Sequence, residues 1–199
     1  MTSLSDLPTQ YLITPEPPHG EPLANFVADL DRSLAAGIRL VQLRAKSVTP
    51  PQYVWLAEQV LCCCRRHGAR LLLNAPSSVA IALHADGVHL TSKTLMACKT
   101  RPMPPGFLVS VACHDAHQIR HASQVGADLI TLSPVLPTKT HTTATPLGWA
   151  RFRELAALTS LPAYALGGMS PDTLDEAIKS GANGIAAIRS LWAGIVERS

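Results

Sequence analysis

Charge and aromatic rings are both scarce in this 199-residue chain: charged residues make up 16% of it, and Phe, Trp and Tyr together 5%. Its 17 basic and 14 acidic residues leave a net charge of +3, with Lys and Arg spread along the chain. A nucleic-acid surface calls for a basic stripe interleaved with stacking rings, so no nucleic-acid partner is expected. No run of ~18 apolar residues is long enough to span a bilayer, so no membrane partner is expected either. The first residues, Met1-Thr-Ser-Leu-Ser-Asp6, lack the basic-then-apolar order of a secretory signal, which points to the cytoplasm. The five cysteines are odd in number and have no spaced pairs, which excludes a disulfide framework and a zinc knuckle. Cys62, Cys63 and Cys64 fall together in a helical pattern, point in different directions and cannot share one metal ion. Most cysteines are expected to be small core residues, and no metal site is expected.

What the chain has is apolar content, 47%, in a regular alternation. Strand-like runs occur at Tyr11–Thr14, Arg39–Ala45, Arg70–Ala75, Asp86–Thr91, Phe107–His114, Asp128–Val135, Ala163–Gly167 and Gly184–Ser190. Most are nearly continuous apolar runs, the mark of strands covered on both faces. Helical patterns separate them at Leu23–Ala36, Pro50–His67, Ser77–Leu83, Ala116–Val125, Gly148–Thr159 and Pro171–Ser180, with Leu191–Arg198 left for a final helix. Thr49-Pro-Pro-Gln52 carries a capping-box signature with proline at the first helical position. Asp115-Ala-His-Gln118 repeats that logic, and Ser170 precedes Pro171. Gly37, Gly68, Gly126 and Gly181 each close a helical segment where a left-handed residue is needed, and a strand follows each.

Eight strands alternating with helices in 199 residues predict one domain, residues 1–199, folded as a single parallel (β/α)8 TIM barrel. A doubly wound open sheet is the alternative, disfavoured by the count of eight and by the absence of a strand-first G-x-G-x-x-G. In such a barrel the loops after strands seven and eight form the usual phosphate cradle. Here those loops carry Gly167 and Gly168, then Arg189 and Ser190, so a small phosphorylated ligand is expected.

The chemistry of such a barrel sits at its C-terminal strand ends. Alternation directs Gln42, Arg44 and Lys46 to one side of the second strand. Arg44 is suited to grip a carboxylate or phosphate as a bidentate fork, or else to pair with an acid on a neighbouring strand. Asn74 ends the third strand. His114 ends the fifth and is the candidate general base, since an imidazole exchanges protons near neutral pH; the plainer reading is a histidine donating to a backbone carbonyl. The loop Ser133–Gly148 offers Thr138, Thr140 and His141 to an anion and is long enough to act as a lid, or is a plain polar loop. His117 and His121, four apart on one helix, lack a third ligand and read as solvent-facing. Trp55, Trp149 and Trp192 read as helix-to-barrel packing.

Taken in order, Tyr11-Leu-Ile-Thr14, Val41-Gln-Leu-Arg-Ala-Lys46, Leu72-Leu-Asn74, Ala85-Asp-Gly-Val-His-Leu90, Gly126-Ala-Asp-Leu-Ile130, Ser133-Pro-Val-Leu-Pro-Thr-Lys-Thr140 and Ala165-Leu-Gly-Gly-Met169 resemble the signatures of the thiamine phosphate synthase / TenI superfamily. The resemblance spans nearly the whole chain. It implies a TIM barrel of thiamine biosynthesis that binds a thiazole phosphate, held by Gly167, Gly168, Arg189 and Ser190, with Gln42, Arg44, Lys46 and Asn74 lining the pocket.

Two branches are implied. The synthase joins a pyrimidine diphosphate to the thiazole phosphate and uses Mg²⁺ to neutralise the departing pyrophosphate. Its pattern has an aspartate after the strand-three asparagine and another after strand four. Ala75 stands at the first place and Thr91-Ser-Lys-Thr94 contains no acid at the second. Ala112 and His141 replace a serine and a lysine of the pattern. The TenI branch resembles the chain more closely. It implies a metal-free, cofactor-free tautomerase in which His114 moves the proton and Arg44 steadies a substrate carboxylate. A non-catalytic binding or regulatory domain is the third expectation. Similar domains, with motifs like Asn74-Ala75 and Leu147-Gly-Trp149, occur fused behind MutT-type Nudix hydrolases, which implies a functional link to such an enzyme; no Nudix segment is present in this sequence. Homo-oligomerisation is left open.

Overall fold

The computed structural model describes residues 7–138 and 145–193. Eight strands, β1 (Gln10–Ile13), β2 (Leu40–Leu43), β3 (Arg70–Leu73), β4 (Gly87–Leu90), β5 (Leu108–Cys113), β6 (Leu129–Leu132), β7 (Ala163–Leu166) and β8 (Gly184–Ala187), close into a barrel in chain order. Every pairing is parallel, and β1 completes the ring against β8 through Tyr11 opposite Ala186. The expected TIM barrel is thus the observed fold.

Helices α1 (Leu23–Ala35), α2 (Pro50–Arg66), α3 (Ser77–Ala82), α4 (Ser92–Ala97), α5 (Ala116–Gln124), α6 (Gly148–Ala156) and α7 (Leu174–Lys179) fall between successive strands. The capping signals act as read: the Gln52 side chain accepts from the Thr49 N–H at 2.9 Å, and Asp115 accepts from the Gln118 N–H at 2.8 Å. The four helix-closing glycines all have positive φ. Helix α4 has no counterpart among the periodic segments of the sequence; its signal is Thr91, whose hydroxyl caps the Thr94 N–H. The helical run expected over Pro171–Ser180 splits into a 3-10 turn at Pro171–Thr173 and α7. Leu191 and Trp192 are buried, and residues 194–198 of the expected last helix lie outside the described residues.

The strands are shorter than the apolar runs. Strand β6 stops at Leu132 because Pro134 has no N–H to extend the ladder. Gly184–Ser190 remains a strand only to Ala187, which hands Ile188, Arg189 and Ser190 to a loop.

The core has two shells, as a closed barrel requires. Between strands and helices lie Leu30, Leu34, Leu56, Val60, Leu73 and Phe152 among others, all fully buried. Inside the barrel Tyr11, Leu40, Leu72, Leu129, Tyr164 and Ala186 pack together, with Tyr11 edge-on to Tyr164 at 5.5 Å. Trp192 stacks on Phe26 at 4.8 Å and Trp149 meets Phe152 at 5.9 Å, but Trp55 is 43% exposed and does not pack on the barrel as expected. Its place on α2 faces water.

Two aspartates in the superfamily signatures stand beside strand beginnings. Asp86 accepts from the Leu71 N–H and Asp128 from the Val109 N–H, each at 2.7 Å. They therefore serve the foot of the barrel, the end of this fold that supplies stability rather than chemistry.

Candidate functional site

A cleft of about 350 Å³ opens at the strand C-terminal ends between β6, β7 and β8. That volume suits a small phosphorylated ring. Its walls include Ser133, Pro137, Thr138, Gly167, Gly168, Arg189 and Ser190, so all four residues expected at the phosphate, and Thr138, come together. Thr140 and His141 lie outside the described residues.

The glycines are needed for two reasons. Gly167 and Gly168 have φ of +97° and +72°, in the region where a side chain strains the backbone. A Cβ on Gly168 would also stand 2.7 Å from Leu136 Cβ and 2.9 Å from the Pro137 carbonyl. The loop after β6 thus lies directly against the turn after β7, held there by Val135 and Leu136 N–H groups donating to Leu166 and Gly167 carbonyls at 2.9 and 3.0 Å. From β8, the Ser190 hydroxyl donates to the Met169 carbonyl at 2.7 Å, drawing the two corners together. Among the described residues, the N–H groups of Gly168, Arg189 and Ser190 have no protein acceptor. Arg189 is exposed on the rim. Unspent amides beside the Arg189 guanidinium are the kind of groups that suit an anion.

His114 lies beside this cleft rather than in its wall. Its Nδ1 is 2.8 Å from the Ser133 carbonyl and 3.3 Å from the Ser133 hydroxyl. A carbonyl only accepts, so Nδ1 carries a proton, and in the neutral ring the lone pair is on Nε2. The carbonyl contact read as the plainer alternative is therefore also the contact that leaves Nε2 able to act as a base.

On the opposite rim, Arg44 Nη1 donates to Glu16 Oε1 at 2.7 Å. The acid comes from the loop after β1, not from a neighbouring strand, so one arm of the fork is already engaged. The second Glu16 oxygen accepts from the N–H groups of Lys46 and Ser47 and the Ser47 hydroxyl at 2.8, 3.1 and 3.1 Å. Sequence reasoning misses Glu16 because a loop acid three residues past a strand carries no periodic signal. Lys46 is exposed and Asn74 half-buried. Gln42 is buried, with its amide oxygen 3.5 Å from the Tyr11 hydroxyl.

Beneath the mouth runs a polar layer that sequence reading does not assemble. His89 Nδ1 meets Ser110 Oγ at 2.9 Å, and the Tyr11 hydroxyl reaches the same oxygen from across the barrel at 3.3 Å. Burial, helped by the positive charge of Lys46, pushes the His89 pKa down to about 3, so this ring is neutral at physiological pH. Burial likewise raises the Tyr11 phenol above its ordinary value. Thr131 Oγ1 is buried without a partner among the described residues. His121, expected to face solvent, instead lies within 3.1 and 2.9 Å of the Leu95 and Cys98 carbonyls, tying α5 to the end of α4.

The Mg²⁺ implied by the synthase branch finds no matching donor set. Ala75 and Thr91–Thr94 offer no carboxylate, Glu16 is engaged by Arg44 and two backbone amides, and Asp115 caps α5. Among the described residues, no three His, Cys, Asp or Glu side chains converge at this end of the barrel.

A (β/α)8 barrel with a polar cleft at its strand C-terminal ends is therefore the class that fold and cleft define. Residues 10–191 match the family described as thiamine monophosphate synthase, and the chain belongs to that family. A relative in Aquifex aeolicus, assigned provisionally as a second thiamine-phosphate synthase, is 36% identical over 183 residues, covering 92% of this chain and 97% of its own. A thiamine-phosphate synthase of Thermus thermophilus is 33% identical over 181 residues, covering 90% and 86%. The solved thiamine phosphate pyrophosphorylase of Pyrococcus furiosus superposes with a TM-score of 0.72 at 23% identity over 90% of this chain and 85% of the other, a likeness of fold.

Proposed function

We propose that the protein is an enzyme of thiamine biosynthesis that anchors a thiazole phosphate in the cleft, and that its reaction is the coupling for which its relatives are named. In that reaction the thiazole phosphate is joined to a pyrimidine diphosphate and pyrophosphate departs. The observation that carries the substrate class is the pair of turns at Gly168 and Ser190, whose free amides flank the cleft beside Arg189. The names of relatives matched over nearly their full length support the transferase reading. Since the donors present do not fit Mg²⁺, the charge of a departing pyrophosphate would fall to the cations of the mouth, Lys46 and Arg189.

A second reading, metal-free tautomerisation of a thiazole carboxylate phosphate, is favoured by His114, whose Nδ1 contact leaves Nε2 free to move a proton. The two separate in one assay series. Purified protein is supplied with thiazole phosphate and pyrimidine diphosphate, with and without Mg²⁺, and pyrophosphate is measured. It is then supplied with the carboxylated thiazole alone. Pyrophosphate release supports the synthase; isomerisation that falls by at least about 100-fold in His114→Ala supports the tautomerase. Saturable binding with neither turnover would replace both with a binding domain.

A further inference from the structure

We propose that Asp31, Cys63 and His67 form a binding site for one divalent transition-metal ion of the Zn²⁺ class, on the outer face of α1 and α2. Cys63 and His67 are four residues apart and so share one face of the chain through the end of α2; Asp31 meets them from α1. Asp31 Oδ1 lies 3.0 Å from Cys63 Sγ and 3.0 Å from His67 Nε2, and the three donor atoms lie within 4.8 Å of one another. Bond lengths of roughly 2.0–2.3 Å in a tetrahedron place zinc ligands a little over 3 Å apart, so small side-chain shifts suffice.

Two groups now donating to one carboxylate oxygen are also metal ligands once their protons leave. Binding would break the Cys63 S–H bond and release its proton to water. The imidazole proton would move from Nε2 to Nδ1, leaving the Nε2 lone pair for the metal. Carboxylate and thiolate would then balance the dication. A thiol and an imidazole select Zn²⁺ or Co²⁺ over Mg²⁺ or Ca²⁺. Three protein ligands leave a fourth position for water, and the Asp31 and His67 side chains, 44% and 24% exposed, give the ion access. Arg66 holds the place in the ion's absence, with Nη2 at 3.0 Å from Asp31 Oδ1 and 3.5 Å from Cys63 Sγ. Its side chain is 59% exposed and free to swing out.

The test is titration of the metal-stripped full chain with Co²⁺ and Zn²⁺. One equivalent should bind, with a near-ultraviolet thiolate-to-Co²⁺ charge-transfer band. Cys63→Ser should abolish the band, and Asp31→Asn or His67→Gln should weaken binding by more than about tenfold. Arg66→Ala should tighten it and Cys62→Ser leave it unchanged. Zn²⁺ should raise the melting temperature of the parent chain but not that of His67→Gln. Because Cys63 is buried, the partly exposed Asp31 and His67 variants keep the test open should Cys63→Ser fail to fold. Absence of stoichiometric binding, Co²⁺ affinity unchanged in both Asp31→Asn and His67→Gln, or loss of the band in Cys62→Ser would overturn the site.

Discussion

At the scale of single residues, the cleft depends on positions where the smallest side chain is obligatory. Gly168→Ala would place a methyl against Leu136 Cβ and the Pro137 carbonyl at a backbone angle that disfavours it. Strain and overpacking together should cost about 1–3 kcal/mol and push the loop after β6 away from the turn. Thiazole phosphate affinity should fall at least about tenfold by calorimetry, the equivalent of 1.4 kcal/mol; unchanged affinity would place the phosphate elsewhere. His89 makes a prediction in pH. Its folded pKa of about 3 lies below the unfolded value of about 6.5, so the unfolded chain binds the extra proton. The contribution is complete above pH ~6.5 and is lost as pH falls from there toward 3, at up to about 1.4 kcal/mol per pH unit. Urea melts from pH 7 to 4.5 should show that loss, and His89→Gln should flatten it.

At the scale of elements, the loops after β6 and β7 are joined by backbone hydrogen bonds, whereas side chains tie together those after β1 and β2. Glu16 couples the loop after β1 to the loop after β2 through Arg44, Lys46 and Ser47. Glu16→Gln removes the charge and half the acceptors. The pair is partly exposed, so about 1 kcal/mol is lost, a drop of roughly 2–4 °C in melting temperature for a chain of this size. An unchanged melting temperature would show the four contacts to be inconsequential. Elements are also where the sequence speaks most clearly. Continuous apolar runs such as Leu71–Leu73 read as strands because both faces are covered, and the glycines closing α1, α2, α5 and α7 announce the next strand. Helix α4 escapes because its first turn, Ser92-Lys-Thr94, is polar, whereas the equally short α3 is read from the apolar run Val79–Leu83. The links Glu16–Arg44 and Ser190–Met169 escape because they join segments distant in sequence, and no local signal records which loop will face which. Asp31–Cys63–His67 escapes likewise: of three adjacent cysteines, one alone turns toward Asp31 of α1, and nothing in their spacing says which.

At the scale of the whole molecule, ring closure turns two remote stretches into one site. Residues 167–168 and 189–190 are neighbours only because β7 pairs with β8 in register, and β6 adds the third wall. Reading the strand count therefore yields the cleft, and the family resemblance its expected ligand. The polar layer of Tyr11, His89 and Ser110 crosses the barrel from β1 to β5 beneath the mouth. The most direct measurement is a crystal structure of the protein soaked with thiazole phosphate. The phosphate oxygens should lie within hydrogen-bond reach of the Gly168 and Ser190 N–H groups, with Arg189 alongside. Phosphate density at any other place, or a cleft still filled only by water at saturating ligand, would contradict it.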